Sequence, residues 1–126
     1  MEIKMTLGEA LNINHSLRRI IDDSQSDTDV LLKFRLLGIM KSLEPHITNF
    51  EAVRNETIAR FGEKTEDGRI QISADNSEAL DSFNREISKV IDSEISVRID
   101  KLKPEEIFGK GVKSEYLIGL YTIIEA

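Results

Sequence analysis

Ile3 and Met5 alternate with Glu2 and Lys4, a pattern that predicts a brief opening strand over 2–6. Thr6 followed three residues later by Glu9 is a capping box, and Leu7, Ala10, Leu11, Leu17 and Ile21 then share one face of a first helix. Asp22 to Asp27 (DDSQSD) has loop composition. Asp27 or Thr28 is placed to cap a second, dominant helix whose apolar residues continue to Phe61, where Gly62 supplies the stop. Within it Leu36, Met40, Leu43, Ile47 and Phe50 keep steps of four and three, the seam for a neighbouring helix. Pro45 lies inside this stretch and removes one backbone hydrogen bond, so the element is either one long kinked helix or two helices broken at Glu44–Pro45.

Beyond Gly62 the period changes. Glu66-Asp67-Gly68 is a turn signal, and Arg69-Ile70-Gln71-Ile72-Ser73 alternates as a strand. Asp75 with Glu78 offers a second capping box for a helix carrying Leu80, Phe83, Ile87, Val90 and Ile91. Ile95, Val97 and Ile99 alternate with Ser96, Arg98 and Asp100, a further strand whose partner is 69–73 or the opening strand. Pro104-Glu105-Glu106 suits a first helical turn. Gly109-Lys110-Gly111 interrupts, and Ser114 is placed to cap a last helix from Glu115 to Glu125 with Leu117, Leu120, Tyr121 and Ile124 inward. The fold class is therefore α+β and helix-dominated. One long helix packs with two or three shorter ones and a small sheet of two or three strands.

With 126 residues the chain fits a single domain, 1–126. Its 40% hydrophobic content excludes a disordered chain, and two prolines exclude a proline-rich linker. Cysteine is absent, so no disulfide, thiolate nucleophile or thiolate metal site can form. The opening Met-Glu-Ile-Lys-Met lacks the apolar run of a secretory leader. Leu36–Met40 and Tyr116–Ile124 fall well short of the ~20 apolar residues of a membrane span. Net charge is −6. Residues 1–62 hold 9 acidic and 8 basic side chains, whereas 63–126 hold 14 and 9. Such a balance disfavours nucleic-acid and anionic-membrane binding and suits a protein partner.

Little in the chain carries chemistry. Asp22, Asp23, Asp27 and Asp29 crowd one loop, but without the spacing and closing glutamate of a calcium loop, and aspartates before a helix are expected as caps. His15 and His46 stand in no metal-binding arrangement. Gly109-Lys110-Gly111 resembles a piece of a phosphate loop, yet Pro104 and Gly111 stand where the first glycine and the Ser or Thr belong. The third helix is rich in carboxylates, with Glu78, Asp81 and Glu86, and Glu94 following it. These four form a candidate acidic face. No cofactor, metal or catalytic residue is expected, and the chain reads as a non-enzyme.

The most informative composition is that of Val30–Met40. Val30, Leu31, Leu32, Phe34, Leu36, Leu37, Ile39 and Met40 surround the helix, more than one face can bury internally. Leu31, Phe34, Leu36, Ile39 and Met40 are accordingly the candidate protein-binding residues.

From Lys33 to Gly68 (KFRLLGIMKSLEPHITNFEAVRNETIARFGEKTEDG) a long amphipathic helix passes through Leu-Glu-Pro and Phe-Glu-x-x-Arg-Asn-Glu to Phe-Gly and an acidic Asp-Gly turn. Phe83-Asn84-Arg85-Glu86, Asp92-Ser93-Glu94-Ile95 and Ile123-Ile124-Glu125 follow. This order resembles that of small, uncharacterised helical proteins encoded by bacteriophages and prophages. The resemblance implies a phage protein, in the host cytoplasm or the virion, with no catalytic residues to carry over. Joined to the apolar excess, it suggests a virion component or head or tail assembly factor that binds itself or another protein. The alternative is a host-directed inhibitor, of the anti-defence or DNA-mimic type, presenting the acidic face to a host protein. A metal-dependent enzyme built on the aspartate loop is the minor alternative.

Overall fold

A computed structural model describes residues 2–23 and 28–125. The Thr6–Glu9 capping box forms as expected: Thr6 Oγ1 accepts from the Glu9 N–H at 3.1 Å, and Glu9 Oε1 accepts from the Thr6 N–H at 3.2 Å. It joins strand β1 (Glu2–Thr6) directly to helix α1 (Leu7–Asp22). The stripe α1 buries is Leu7, Ala10, Ile13, Leu17 and Ile20, with Leu11 and Ile21 half-buried at its edge.

Helix α2 (Val30–Phe61) is continuous over 32 residues and passes through Pro45, so the two-helix alternative does not hold. Its cap is Asp29, whose Oδ2 accepts from the Leu32 N–H at 3.2 Å. Thr28 instead donates to the Gly111 carbonyl, while Asp27 lies outside the described residues. Leu32, Leu36, Ile39 and Leu43 are buried at steps of four, three and four. Met40, Ile47 and Phe50 flank this stripe half-buried, so the packing seam is shifted around the helix from the expected one. Beyond Phe50, Thr57 is the one buried residue of α2.

At the end of α2, Gly62 has φ −89°, so its need is for space rather than left-handed backbone. A Cβ there would stand 2.5 Å from the Ile58 carbonyl and 3.0 Å from that of Gln71. This close approach brings in a hairpin of β2 (Glu63–Lys64) and β3 (Ile70–Gln71) around the predicted Glu66-Asp67-Gly68 turn, where Gly68 takes φ +85°. Helix α3 (Ser77–Ile91) is capped by Asn76 rather than Asp75: Asn76 Oδ1 accepts from the Ala79 N–H at 3.1 Å. It packs along the C-terminal half of α2, with Ile87 buried and Leu80, Phe83, Val90 and Ile91 half-buried.

Strand β4 (Glu94–Arg98) pairs antiparallel with β1, not with 69–73, in the register Ile3↔Val97 and Met5↔Ile95. The two small sheets are separate. After the short helices α4 (Pro104–Ile107) and α5 (Ser114–Leu117), the chain does not continue as the α-helix expected to Glu125. Residues Ile118–Ile123 form a 3-10 turn instead. Side chains three apart eclipse in that geometry. Leu117, Leu120 and Ile123 therefore face inward, and Ile118 and Tyr121 face out. Tyr121 is 71% exposed, which corrects its expected inward position. The end of the chain is then tied to Leu102, whose N–H donates to the Ile123 carbonyl and whose carbonyl accepts from the Glu125 N–H, both at 2.8 Å. One buried cluster thus runs from Ile3 to Ile124, with α1 and the N-terminal half of α2 at its centre.

Two substitutions test this packing by urea unfolding. Leu43→Ala removes a fully buried side chain and should lower stability by about 2–5 kcal/mol. Pro45→Ala should raise it by about 2 kcal/mol: the helix-interior penalty of about 3 disappears, less up to about 1 from the freer unfolded chain. No gain in Pro45→Ala would mean that the helix does not run through this position in solution.

Candidate protein-binding surface

The five candidate binding residues do not form one surface. Leu36 is fully buried and Ile39 is 6% exposed, so both belong to the core and are withdrawn as contact residues. Met40 is half-buried at a groove edge. The helical period is the reason: residues 32, 36, 39 and 43 fall on the inner side, whereas 30, 34, 37 and 41 fall opposite. Leu31 and Phe34 do face solvent, at 73% and 76% exposed. Val30 and Leu37 join them, at 75% and 46%. These two were missed as site residues, although the steps of four and three from Val30 through Phe34 to Leu37 were visible in the sequence.

This ridge has a groove on each side. One lies between α2 and the end of β4, lined by Phe34, Gly38, Ser42, Arg98 and Ile99. The other lies between α2 and α1, lined by Arg18, Leu37, Met40, Lys41, Glu44 and Ile47. Gly38 is exposed in mid-helix, and a Cβ built on it meets nothing within 4 Å. An exposed helical glycine costs about 1 kcal/mol relative to alanine, and nothing inside this molecule requires it here.

The charges around the ridge balance: a third groove, beside Leu31 and Arg35, is lined by Asp29, Glu105, Glu106 and Lys110, and Glu44 and Asp100 line the other two. From Val30 to Leu43 there are three basic residues, Lys33, Arg35 and Lys41, and no acidic one. Arg35 is held by Glu106, Nε to Oε2 at 3.4 Å. Lys41 continues the exposed stripe, and Arg18 and Arg98 stand across the two grooves.

The candidate acidic residues are spread over two elements. Glu78 and Asp81 are exposed on α3, with Arg85 and Lys89 following on the same helix. Glu86 lies 3.5 Å from Lys89 Nζ and 4.0 Å from Arg60 on α2, and Glu94 opens β4 opposite Thr6. Such exposed pairs contribute little stability.

The remaining sequence features fall into structural places. Asp23 Oδ2 accepts a hydrogen bond from the Tyr116 hydroxyl and lies 2.9 Å from Lys113 Nζ, and the Arg19 guanidinium stacks 4.7 Å from the Tyr116 ring centre. This clasp joins the end of α1 to α5. Lys110 and Gly111 offer carbonyls to the Asp29 N–H and the Thr28 hydroxyl, so the glycine-rich segment is a turn that fastens the start of α2. Gly109 and Gly111 adopt φ +77° and +82° there. His15 is exposed on α1 and His46 half-buried on α2. Among the described residues no group of three or more His, Asp or Glu side chains is placed to hold a metal ion, and Asp27 lies outside them. None of their helices is long and apolar enough to cross a membrane.

Compared with known protein families, with curated proteins and with solved structures, the chain matches none.

The clasp sets an alkaline signature. The hydrogen bond to Asp23, reinforced by its charge, raises the Lys113 ammonium above the ordinary lysine value. The phenol's own hydrogen bond to Asp23, then burial, holds Tyr116 neutral above its ordinary range. Both folded-state values are raised, so the stability they contribute is complete below the unfolded values of about 10 and is lost as pH rises through the folded ones. A Tyr116→Phe/Lys113→Met variant should melt at a lower temperature than wild type at pH 7. Its melting temperature should also fall less steeply than that of wild type above about pH 10. Parallel curves for the two proteins would show that the clasp does not form.

Proposed function

We propose that this chain is a non-enzymatic phage protein that acts by binding protein, as a virion component or as a head or tail assembly factor. The observation that carries the binding role is the ridge of Val30, Leu31, Phe34 and Leu37, four large apolar side chains held side by side in solvent on a rigid helix. Contiguous exposure of this kind marks interaction surfaces rather than idle surface. α2 is anchored by the core on its inner side, so the ridge is presented without an ordering cost at the moment of binding. The phage setting is supported by the order of segments from Lys33 to Glu125 described above. The host-directed inhibitor reading would use Glu78, Asp81, Glu86 and Glu94, whose charge is interleaved with Arg85 and Lys89 and partly engaged by Arg60.

A Leu31→Asp/Phe34→Asp variant separates these readings, because both positions are exposed and the substitutions leave the core intact. Its circular dichroism and melting temperature should match wild type. Tagged wild type in lysate of infected cells should recover portal, capsid or tail proteins, the variant should lose them, and the chain should be detected in purified virions by mass spectrometry. Equal recovery by both forms would remove the ridge from the function. Recovery of a host nuclease, polymerase or defence protein, retained by the ridge variant and lost when the four carboxylates are neutralised, would replace this reading with the inhibitor.

A further inference from the structure

We infer that the outer edge of β4 is a self-association surface, on which the β4 strand of a second copy pairs antiparallel about Ser96 to complete one four-stranded sheet. This goes beyond the role proposed above and makes no use of the ridge.

The ladder itself fixes which backbone groups are left over. The Leu7 N–H donates to the Ser93 carbonyl at 2.9 Å, in the same register that sets Met5 opposite Ile95 and Ile3 opposite Val97. Antiparallel pairs alternate between bonded and non-bonded, so Met5–Ile95 and Ile3–Val97 exchange their backbone hydrogen bonds across the ladder. The N–H and C=O groups of Glu94, Ser96 and Arg98 therefore point away from β1, as do those of Glu2, Lys4 and Thr6 from β4. Thr6 agrees with this assignment, because its N–H is donated outward to Glu9. The sheet holds only β1 and β4, and among the described residues no backbone group of another segment bonds to Glu94, Ser96 or Arg98. All three residues are exposed. Unpaired groups in strand geometry are complemented by another strand.

The residues along this edge match a second copy of themselves. A two-fold axis at Ser96 sets Glu94 opposite the second copy's Arg98 and Arg98 opposite the second copy's Glu94, with serine facing serine between them. Arg98 already stands opposite Glu2 within its own chain, so it gains a carboxylate on its other side. On the core-facing side of the sheet the same register sets Ile95 opposite the second copy's Val97. Val97 is buried within its own chain, but Ile95 is only half-buried, and the added strand covers it. A shift of two residues toward Asp100 would oppose Glu94 to Asp100, and a shift the other way carries Arg98 past the start of the second copy's strand.

Neither alternative pairing is as well matched. Two β1 edges would meet with Lys4 opposite Lys4, and the outward N–H of Thr6 is already spent on Glu9. An extended segment of another protein would satisfy the same backbone groups of β4, but a second copy brings the matching charges and apolar row with it by symmetry. Space is available at the Arg98 end, where a groove lined by Ser42, Arg98, Ile99 and Asp100 separates β4 from α2 and no residue of β1 takes part.

Sedimentation of the full-length protein should show a monomer–dimer equilibrium between about 1 and 200 μM, as suits a small interface. Glu94→Arg and Arg98→Glu each set like charges opposite one another across the axis. Either variant alone should stay monomeric while keeping the circular dichroism of wild type. Mixed in equal amounts, the two variants oppose unlike charges at both outer pairs and should dimerise again. In amide hydrogen exchange, Ile95 and Val97 should be protected at every concentration, and Ser96 and Arg98 only where the dimer is populated. A wild-type monomer throughout the range would overturn the inference, as would a dimer that both variants retain or a mixture that stays monomeric. A dimer abolished by Phe34→Asp but kept by Glu94→Arg would move the contact to the ridge and overturn it as well.

Discussion

Burial of a single stripe on α2 organises the molecule. Leu32, Leu36, Ile39 and Leu43 are covered from one side by α1, by the β1–β4 pair and by the segment from Ile99 to Ile124. Full burial of one such side chain contributes about 1.5–3 kcal/mol, so these positions dominate what is gained by docking the other elements. A straight helix cannot turn a second stripe into the same core. The apolar residues on its far side are therefore left in solvent by geometry, and the ridge is a direct consequence of how the core is built.

The elements that cover this stripe come from both ends of the chain and must be fixed by contacts between distant residues. The β1–β4 ladder joins residues 2–6 to 94–98. Thr28 and Asp29 are held by the carbonyls of Gly111 and Lys110, and Asp23 is held by Tyr116 and Lys113. The last residues close onto Leu102. Polar groups at these points serve as fasteners between segments, which explains why the aspartate loop and the glycine-rich turn have compositions suggestive of ligand binding. The other half of α2, with α3 and the hairpin, is built differently: Ile87 and Thr57 are its buried residues, and exposed ion pairs to Glu86 lie beside them. What distinguishes the two halves of α2 is thus the side that faces away from the core. It is apolar and basic near the N-terminus, and polar toward the C-terminus.

Much of the local structure was legible in the residues. The opening strand, the Thr6–Glu9 box, the stop at Gly62, the Asp-Gly turn and the α+β class follow from short-range rules that tertiary contacts here reinforce. Caps were misplaced by one or two residues, at Asp29 and Asn76, because several neighbouring Asp, Asn and Thr side chains are equally able to accept the first N–H groups. The last helix was misread because a run of apolar residues satisfies a period of 3.6 and one of 3.0 almost equally over two turns. The choice fell to the tie with Leu102, which draws the chain end inward. At the surface, the excess of apolar residues around 30–40 was evident, but its division was not. Leu36 and Ile39 went to the core, and Val30 and Leu37 went to solvent.

That division marks the boundary between the two kinds of information. The sequence by itself determined that α2 carries more apolar side chains than one face can bury, that its first fourteen residues hold no acid, and where most elements begin and end. These properties depend on residue type and spacing along one chain segment. Only the tertiary structure decided which stripe of α2 turns inward, that β4 pairs with β1 rather than with the 69–73 segment, and that Arg18 and Arg98 come to stand beside the ridge. Those outcomes depend on which distant segments pack against each other, and periodicity within one helix carries no record of its neighbours.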